Sequence, residues 1–573
     1  MEKLHSDIES VRVLVSLLVQ KRVRHVVLSP GSRNAPLVVS IARERRILHR
    51  VITDERSAAF FALGMAQQSG EPVALVCTSG TALLNYAPAV AEAYYQGVPL
   101  IVISADRPAE WIDQDDSQTI RQQGALDRFV KKSYQLPAVI ASEEEHWYTN
   151  RVINEAINLT RLSRKGPVHI NIPLREPLYE FHQKTLPAER VIEATPSRNV
   201  FPDEIINQLR QEFASSTNVM IIAGFQAPDP VLQRHIEQLA GFPNTVVLTE
   251  SVANLTTPCS FSTIDRIIST VRPGEAGAYA PDLLITFGGA IISRMIKAFI
   301  REHPPRVHWH IDERATPPDT YKSMTRHLQT NTGEFFKQFL STPLPLISAS
   351  GYAWKWLQKA ESATTKHEAY INHIPWCDLK AFSVLMPSLP ADSHLQLGNS
   401  TPIRYAQLFR YSQVSRSDAN RGTSGIDGCT STAIGAACSF DGTTTLIVGD
   451  NSFLYDSNAL WMKQIPARLR IIVMQNGGGG IFRFLPGPSA LQEVEKYFET
   501  PHKVNLKQLA KTHNFEIYKV DSEAALREIL PVFLRTVTTS GGIDCRDPGG
   551  NKRRDSEKIF RGFEIDLEVI YYL

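Results

Sequence analysis

Residues 25–82 read HVVLSPGSRNAPLVVSIARERRILHRVITDERSAAFFALGMAQQSGEPVALVCTSGTA, and two periods alternate through them. His25 to Leu28 is a short apolar run of strand length, SPGSR is a turn, and Ala35 to Glu44 suits a helix. Arg50 to Thr53 again reads as strand, Glu55 to Gln68 as helix and Pro72 to Cys77 as strand. Upstream, Ile8, Val11, Leu14, Leu17 and Leu18 recur at helical spacing; downstream, a helix over Thr81 to Tyr95 leads to a strand over Pro99 to Ser104. Short apolar strands separated by helices imply parallel βαβ units covered on both faces. Right-handed crossovers then gather the loops after the strands along one sheet edge, where open α/β sheets bind ligands. Ser29 to Arg33, Asp54-Glu55, Thr78 to Thr81 and Asp106 to Pro108 stand at such ends.

The pattern recurs twice. Val168 to Pro173 closes the first block, and Arg175 to Asp203, rich in Pro, Glu and Arg, reads as a linker. A second block has strands at Val219 to Ala223, Thr245 to Leu248, Leu283 to Thr286 and Val307 to Ile311, followed by the irregular Ser341 to Gly351. A third has strands at His394 to Leu397, Thr444 to Val448, Arg470 to Met474 and Phe515 to Val520. The expected fold is α/β, with three doubly wound parallel-sheet domains over residues 1–185, 200–342 and 352–573. After a helix over Ser522 to Leu534, residues 538–558 are polar, Gly-rich and basic, and IFRGFEIDLEVIYYL then reads as strand. A surface loop before a terminal strand is one account of this tail; a disordered or altered tail is the other.

Across 573 residues, 43% hydrophobic and 21% charged are values of a globular chain, and 61 basic against 59 acidic residues leave +2. No overall field selects nucleic acid or an anionic membrane. Six cysteines lie far apart with no CxxC pair, against a zinc ribbon or disulfide scaffold and in favour of a reducing compartment. The N-terminus is amphipathic and lacks the build of a signal peptide, and no apolar run reaches the roughly 18 residues a membrane span needs. A cytoplasmic protein is expected.

Gly449-Asp450 directly follows a strand, and Asn476, 26 residues on, ends the next and begins NGGGGIF. A carboxylate and an amide oxygen at neighbouring strand ends suit Mg²⁺, and a helix over Asp456 to Lys463 could turn its N-terminus to a phosphate. The competing account is a routine strand-end turn before a flexible loop. No GxxxxGK[ST] occurs, and the four glycines neither form GxGxxG nor open a helix, so neither a P-loop nor a dinucleotide site is indicated. Asp54-Glu55 lies where a strand becomes a helix, which helix capping alone explains.

Taken in order, the segments SPGSRNAPL, TDERSAAFFALGMA, TSGTA, SADRP, QTIRQQGAL, FGGAIISR, GNSTPIR, NRGTSGIDG, GDNSFLYDSNAL and QNGGGGIF, spanning residues 29 to 482, resemble thiamine-diphosphate-dependent enzymes. The likeness is closest to the 2-succinyl-5-enolpyruvyl-6-hydroxy-3-cyclohexene-1-carboxylate synthase family of menaquinone biosynthesis. SPGSR and NRGTSGIDG in particular are specific to that family. The resemblance implies a transferase that decarboxylates 2-oxoglutarate on thiamine diphosphate and adds the succinyl-semialdehyde carbanion equivalent to isochorismate. It implies Mg²⁺ or Mn²⁺ held by Asp450, Asn476 and the Gly478 carbonyl, with Asn451 and Ser452 at the diphosphate. Ile426 would support the bent cofactor, and Ile481 and Phe482 would line its apolar side. Glu55 would donate to the pyrimidine, its carboxyl raised by burial against neighbours such as Phe60 and Leu63. Ser400 and Arg404 would take the distal carboxylate of 2-oxoglutarate, and Ser32, Arg33, Gln118 and Arg294 would receive isochorismate. Arg107 would serve the substrates too, and Arg421 would contact cofactor and intermediate. The implied catalytic set is Glu55, Gln118, Arg33 and Arg404.

Arginine suits two dicarboxylates because its planar fork pairs a carboxylate through two hydrogen bonds. A pyruvate-using relative such as an acetolactate synthase needs no partner for a distal carboxylate, and a catalytically impaired cofactor-binding homologue need not keep these residues. The chain departs from the family pattern in three places: Ser293 stands where some members carry lysine, Ser117 where asparagine is frequent, and the tail after about Thr536 differs. The family also implies a homodimer or homotetramer in which the first block of one chain and the third of its partner enclose the cofactor.

Overall fold

The computed structural model describes residues 4–257, 260–347, 350–410, 414–463, 465–483 and 487–535, together with the backbone of 560–566. Three sheets of six strands carry the fold, and the strands pair in parallel throughout. The first sheet runs Leu48–Val51, His25–Leu28, Val73–Cys77, Leu100–Asp106, Val168–Pro173, Ser133–Gln135. The third runs Arg416–Ala419, His394–Leu397, Thr444–Gly449, Leu469–Gln475, Phe560–Asp566, Phe515–Val520, the same order in chain sequence. Between them, the middle sheet runs Arg326–Leu328, Val307–Ile311, Leu283–Phe287, Val219–Ala223, Thr245–Thr249, Ser260–Phe261. The order switches between His25–Leu28 and Val73–Cys77 in the first sheet, between Leu283–Phe287 and Val219–Ala223 in the middle one and between His394–Leu397 and Thr444–Gly449 in the third, so each sheet has a switch point whose strand ends open a crevice.

The second strand ends at Val51, two residues earlier than its apolar run predicts, because Asp54 is spent on capping the next helix, accepting the Ser57 amide at 2.8 Å. The strands that the sequence does not announce, Ser133–Gln135, Ser260–Phe261, Arg326–Leu328 and Arg416–Ala419, are short and lack a clear apolar run. The terminal strand anticipated within residues 559–573 is present at Phe560–Asp566, between Leu469–Gln475 and Phe515–Val520. The polar stretch 538–558 lies outside the described residues, as do Cys259 and Cys545. Cys77, Cys377 and Cys429 are free thiols.

The stretch read as a linker is an extended strap fastened to the first block. Its Ile192 amide donates to Asn154 Oδ1 at 2.8 Å, its Ile192 carbonyl accepts from Lys21 Nζ at 2.9 Å, and Gln183 pairs with His5. Tyr352, Trp356 and Ala360, early in the helix Tyr352–His373, pack into a core of the middle sheet, whereas Ile371 near its end joins the core of the third.

The first and third blocks meet through two helices, Glu55–Ser69 and Cys429–Ser439. Both are buried on nearly every side, and small residues let their backbones touch. A Cβ at Gly64 would fall 2.0 Å from the Thr432 carbonyl oxygen, and one at Gly435 would fall 1.9 Å from that of Phe61. Phe60, Phe61 and Leu63 are buried beside this crossing, each contributing about 1.5–3 kcal/mol. The crossing fixes Asp54 and Glu55, at the start of one helix, against the third block: Asn458 Nδ2 donates to Asp54 Oδ2 at 2.6 Å, and Arg56 Nη2 donates to the Tyr455 carbonyl at 2.8 Å. Among the described residues no helix is long and apolar enough to cross a membrane.

Candidate active site

At the switch point of the third sheet, His394–Leu397 leads into Asn399-Ser400 and Thr444–Gly449 into Asp450. The helix after Asp450 is not Asp456 to Lys463. Asp450 itself opens a short helix, Asp450–Tyr455, and Ser457–Trp461 continues as a 3₁₀ turn. The sequence places the start too late because Asp450-Asn451-Ser452 reads as loop while serving as a polar first turn. Ser400 takes φ 74°, a left-handed conformation costing about 1–3 kcal/mol in a non-glycine residue. Its neighbour Asn399 clamps the region, donating to the carbonyls of Asn420 at 2.7 Å and Gly425 at 2.6 Å and accepting from Arg421 Nη1 at 3.1 Å.

One cavity lies between these loops. Ser400, Ile426, Asp450, Asn451, Ser452, Asn476, Gly478, Ile481 and Phe482 all line it, so the structure gathers these sequence-selected residues in one place. Ile426 is 39% exposed, unusual for a large aliphatic side chain and free to press on a ligand. Asp450 is buried; burial raises its carboxyl, opposed by the amides of Asn451 and Gly477, both at 2.7 Å, and by His502, whose Nε2 lies 3.3 Å away. Asn476 Nδ2 donates to Asp378 Oδ2 at 3.2 Å. Asp378 has no motif around it in the sequence, yet it lines the cavity with its other oxygen buried and unpartnered. Burial, with the nearby Asp450 charge added and the Asn476 amide opposing, pushes its carboxyl up to about 6.

The donor set fits a hard divalent cation. Asp450 and Asn476 offer side-chain oxygens and Gly478 a carbonyl, and the unpartnered Asp378 oxygen adds negative potential behind them. Among the described residues no group of three or more His, Cys, Asp or Glu could hold a metal ion. Ile426, Ile481 and Phe482 add an apolar wall to this cavity.

The remaining residues stand elsewhere. Glu55 is the first residue of its helix, half-buried, and burial raises its carboxyl as expected. The groups that feel its charge are Cys77 and Tyr86, while the Phe60 ring instead covers Gly428. Asp54, the neighbouring acid, takes the capping role by accepting the Ser57 amide. Arg33 is buried, donating to the Leu174 carbonyl at 3.0 Å and pairing with Glu176 at 3.3 Å. Arg107 pairs with Asp116 at 2.8 Å and donates to the Ser117 carbonyl at 3.1 Å. Burial lowers the Arg33 guanidinium and the charge of Arg107 lowers it further, so the two share one neighbourhood. Exposed Ser32 adjoins it, and exposed Gln118, at φ 56°, has its backbone against Gly80 of the TSGT turn.

Arg294, Arg404 and Arg421 form a third group, where the middle and third blocks meet. Burial lowers the Arg404 guanidinium first and the charge of Arg294 next; burial lowers Arg421, with Arg404 adding to it. Arg404 Nε and Arg421 Nε are both buried without a partner. Glu250, which the sequence reading overlooked, faces them. It accepts the amides of Ile292 and Ser293, each at 2.7 Å, and burial pushes it up to about 7 against those donors. Ser293, where some relatives carry lysine, is buried and caps the helix Arg294–Glu302 by accepting the Ile296 amide at 3.1 Å. One turn on, half-buried Lys297 adds a cation that feels Glu250, Arg421 and Arg404.

Residues 8–126 match the thiamine pyrophosphate enzyme N-terminal TPP binding domain. The chain is 46% identical over 540 residues, 93% of both chains, to the 2-succinyl-5-enolpyruvyl-6-hydroxy-3-cyclohexene-1-carboxylate synthase of Porphyromonas gingivalis. It is 42% identical over 535 residues to that of Flavobacterium psychrophilum, covering 93% of this chain and 95% of the other. With that of Bacteroides thetaiotaomicron it shares 39% identity over 571 residues, covering 99% of this chain and all of the relative.

Proposed function

The chain belongs to the 2-succinyl-5-enolpyruvyl-6-hydroxy-3-cyclohexene-1-carboxylate synthase family, and from that premise we propose that it joins 2-oxoglutarate, less its 1-carboxylate, to isochorismate. The observation that carries the reading is the gathering of Arg294, Arg404 and Arg421, two of them with buried unpartnered Nε groups, tied to the oxygen-lined cavity through Asn399, which lines it and accepts from Arg421. Crowded guanidiniums with unused donors call for polyanionic ligands, and each substrate is a dicarboxylate.

Thiamine diphosphate, when bound, would supply the carbanion chemistry for decarboxylating a 2-oxo acid and transferring the remainder. Asp450, Asn476 and the Gly478 carbonyl would hold the divalent ion, Mg²⁺ or Mn²⁺, with Asn451 and Ser452 at the diphosphate end. Asp378 fixes the Asn476 amide by accepting from its Nδ2, which would leave the Asn476 oxygen available as a ligand. Ile426, Ile481 and Phe482 exclude water from the reacting carbon. Glu55 holds a proton at the pyrimidine, a task that a carboxyl raised by burial serves. Arg404 with Ser400 grips the distal carboxylate of 2-oxoglutarate, while Ser32, Arg33, Arg107, Gln118 and Arg294 receive isochorismate.

In this reading residues 1–185 hold the pyrimidine, 200–342 form the central domain and 352–573 hold the diphosphate. No residue before Asp378 lines the oxygen-rich cavity among those described, which supports Glu55 reaching it from a second copy and so a homodimer or higher assembly. The reaction belongs in the cytoplasm, where both substrates are metabolites. The test is CO₂ release from 2-oxoglutarate with thiamine diphosphate and Mg²⁺, with and without isochorismate, and mass analysis of the product. Isochorismate-dependent release with a succinylated adduct is expected; release without an adduct points to another acceptor and overturns the reading.

A further inference from the structure

The segment Asn420–Gly425 carries Arg421 and leads to Ile426, so its placement sets both a cation and the apolar wall of the cavity. Asn399 holds it from one side, as described. A group from another block holds it from the other. Glu92, on the helix Ala87–Gln96 of the first block, is 1% exposed. Its Oε1 accepts the Gly422 amide at 2.6 Å; its Oε2 accepts the Thr423 amide and the Thr423 hydroxyl, each at 2.6 Å. Gln96 adds a donor to Glu92 and also donates to the Ala419 carbonyl at 2.9 Å, so the segment is fastened just before Asn420 as well. Gly422 is needed for this approach, because a Cβ there would lie 2.6 Å from the Glu92 carbonyl oxygen.

A buried carboxylate that spends both oxygens on main-chain donors outside its own helix fixes the donors' position more than a neutral group could. We propose that Glu92 is a positioning residue for the reaction, acting through Arg421 by gripping the two amides that follow it. Removing its charge leaves the fold of each block intact but lets Arg421 move off the position that Asn399 alone does not define. The inference rests on the role given above to Arg421 toward the reacting intermediate, and it makes Glu92 distinct from a simple staple between blocks.

The test is a cycle of Glu92→Gln, Arg421→Ala and the double variant in the full-length enzyme, read as kcat, KM for each substrate and thiamine diphosphate affinity. An amide can accept at only one end, so at least one donor at Gly422 or Thr423 faces a donor. Glu92→Gln is expected to lower kcat about 10- to 100-fold, with KM and cofactor affinity unmoved. The double variant is expected to be no slower than Arg421→Ala alone, since a residue that acts through Arg421 has nothing left to position. Multiplied losses in the double variant, or parallel losses of kcat and cofactor affinity, overturn the inference in favour of a staple. If Arg421→Ala itself leaves kcat unchanged, the role of Arg421 fails first. Should Glu92→Gln not fold, Thr423→Val removes only the hydroxyl contact. Its smaller loss of kcat must likewise vanish in the Arg421→Ala background, and persistence there overturns the inference.

Discussion

Replacing Arg404 by alanine separates stability from substrate use. In the free protein Arg404 lies among Arg294 and Arg421, with its Nε buried and unpartnered, and burial and the charge of Arg294 both disfavour its cation. Deleting the guanidinium therefore relieves repulsion, and only the attraction of Asp265 and Glu250 is lost. The thermal midpoint of Arg404→Ala is expected to equal or exceed that of the parent. With substrate present the balance reverses. A charge-assisted hydrogen bond to a carboxylate is worth about 1.5–3 kcal/mol, so kcat/KM for 2-oxoglutarate is expected to fall about 10- to 100-fold. Isochorismate, for which Arg33, Arg107 and Arg294 are the proposed partners, is expected to change far less. Arg404→Lys should recover only part of the loss, because an ammonium cannot pair with both carboxylate oxygens in the fork geometry. Steady-state rates with each substrate varied, beside a calorimetric scan, give the answer. Equal losses for the two substrates, or a large fall in thermal midpoint, would refute the reasoning.

Three further outcomes follow from particular contacts. Glu55→Gln is expected to keep cofactor affinity but slow exchange of the cofactor's C2 proton, followed by proton NMR in D₂O; parental exchange rates would remove Glu55 from the chemistry. Gly64→Ala pushes a methyl to 2.0 Å from the Thr432 carbonyl oxygen, and main chain cannot step aside. The crossing must open at a cost of about 1–3 kcal/mol or more, lowering the thermal midpoint, whereas Gly277→Ala, with nothing within 4 Å, is the control. Asp418, fully buried, would be raised by burial, but Arg416 at 2.6 Å and His394 at 3.1 Å hold its carboxyl well below the usual range. A depressed folded value contributes stability above the unfolded value of about 3.9, and that stability is lost as pH falls through the folded value. Asp418→Asn should therefore destabilise strongly at pH 7, with the gap from the parent closing in denaturant titrations only below about pH 4.

Much of this molecule is written in local pattern. The apolar runs His25–Leu28, Val73–Cys77, Val219–Ala223, Leu283–Phe287 and Thr444–Gly449 are strands because each is buried on both faces of a parallel sheet, and such burial needs continuous hydrophobicity. Asp450 and Asn476 were legible for the same reason: each sits where such a run stops, and topology sends those ends to one edge. The family likeness supplied the arginines, whose roles no spacing reveals.

What tertiary structure alone decided are contacts between distant segments. Asp378, Glu250 and Glu92 carry no motif, since each works by facing a group 42 to 331 residues away: Asp450, Ile292 and Ser293, or Gly422 and Thr423. Helix starts at Asp450 and the edge strand Arg416–Ala419 escaped pattern because polar residues there are satisfied by neighbours, not by their own period. Periodicity records which face of an element meets the core, and so it determines the sheets. Which acid meets which arginine or amide depends on how three sheets dock, and that is set by close approaches such as Gly64 on Thr432, where the missing side chain matters more than any present one.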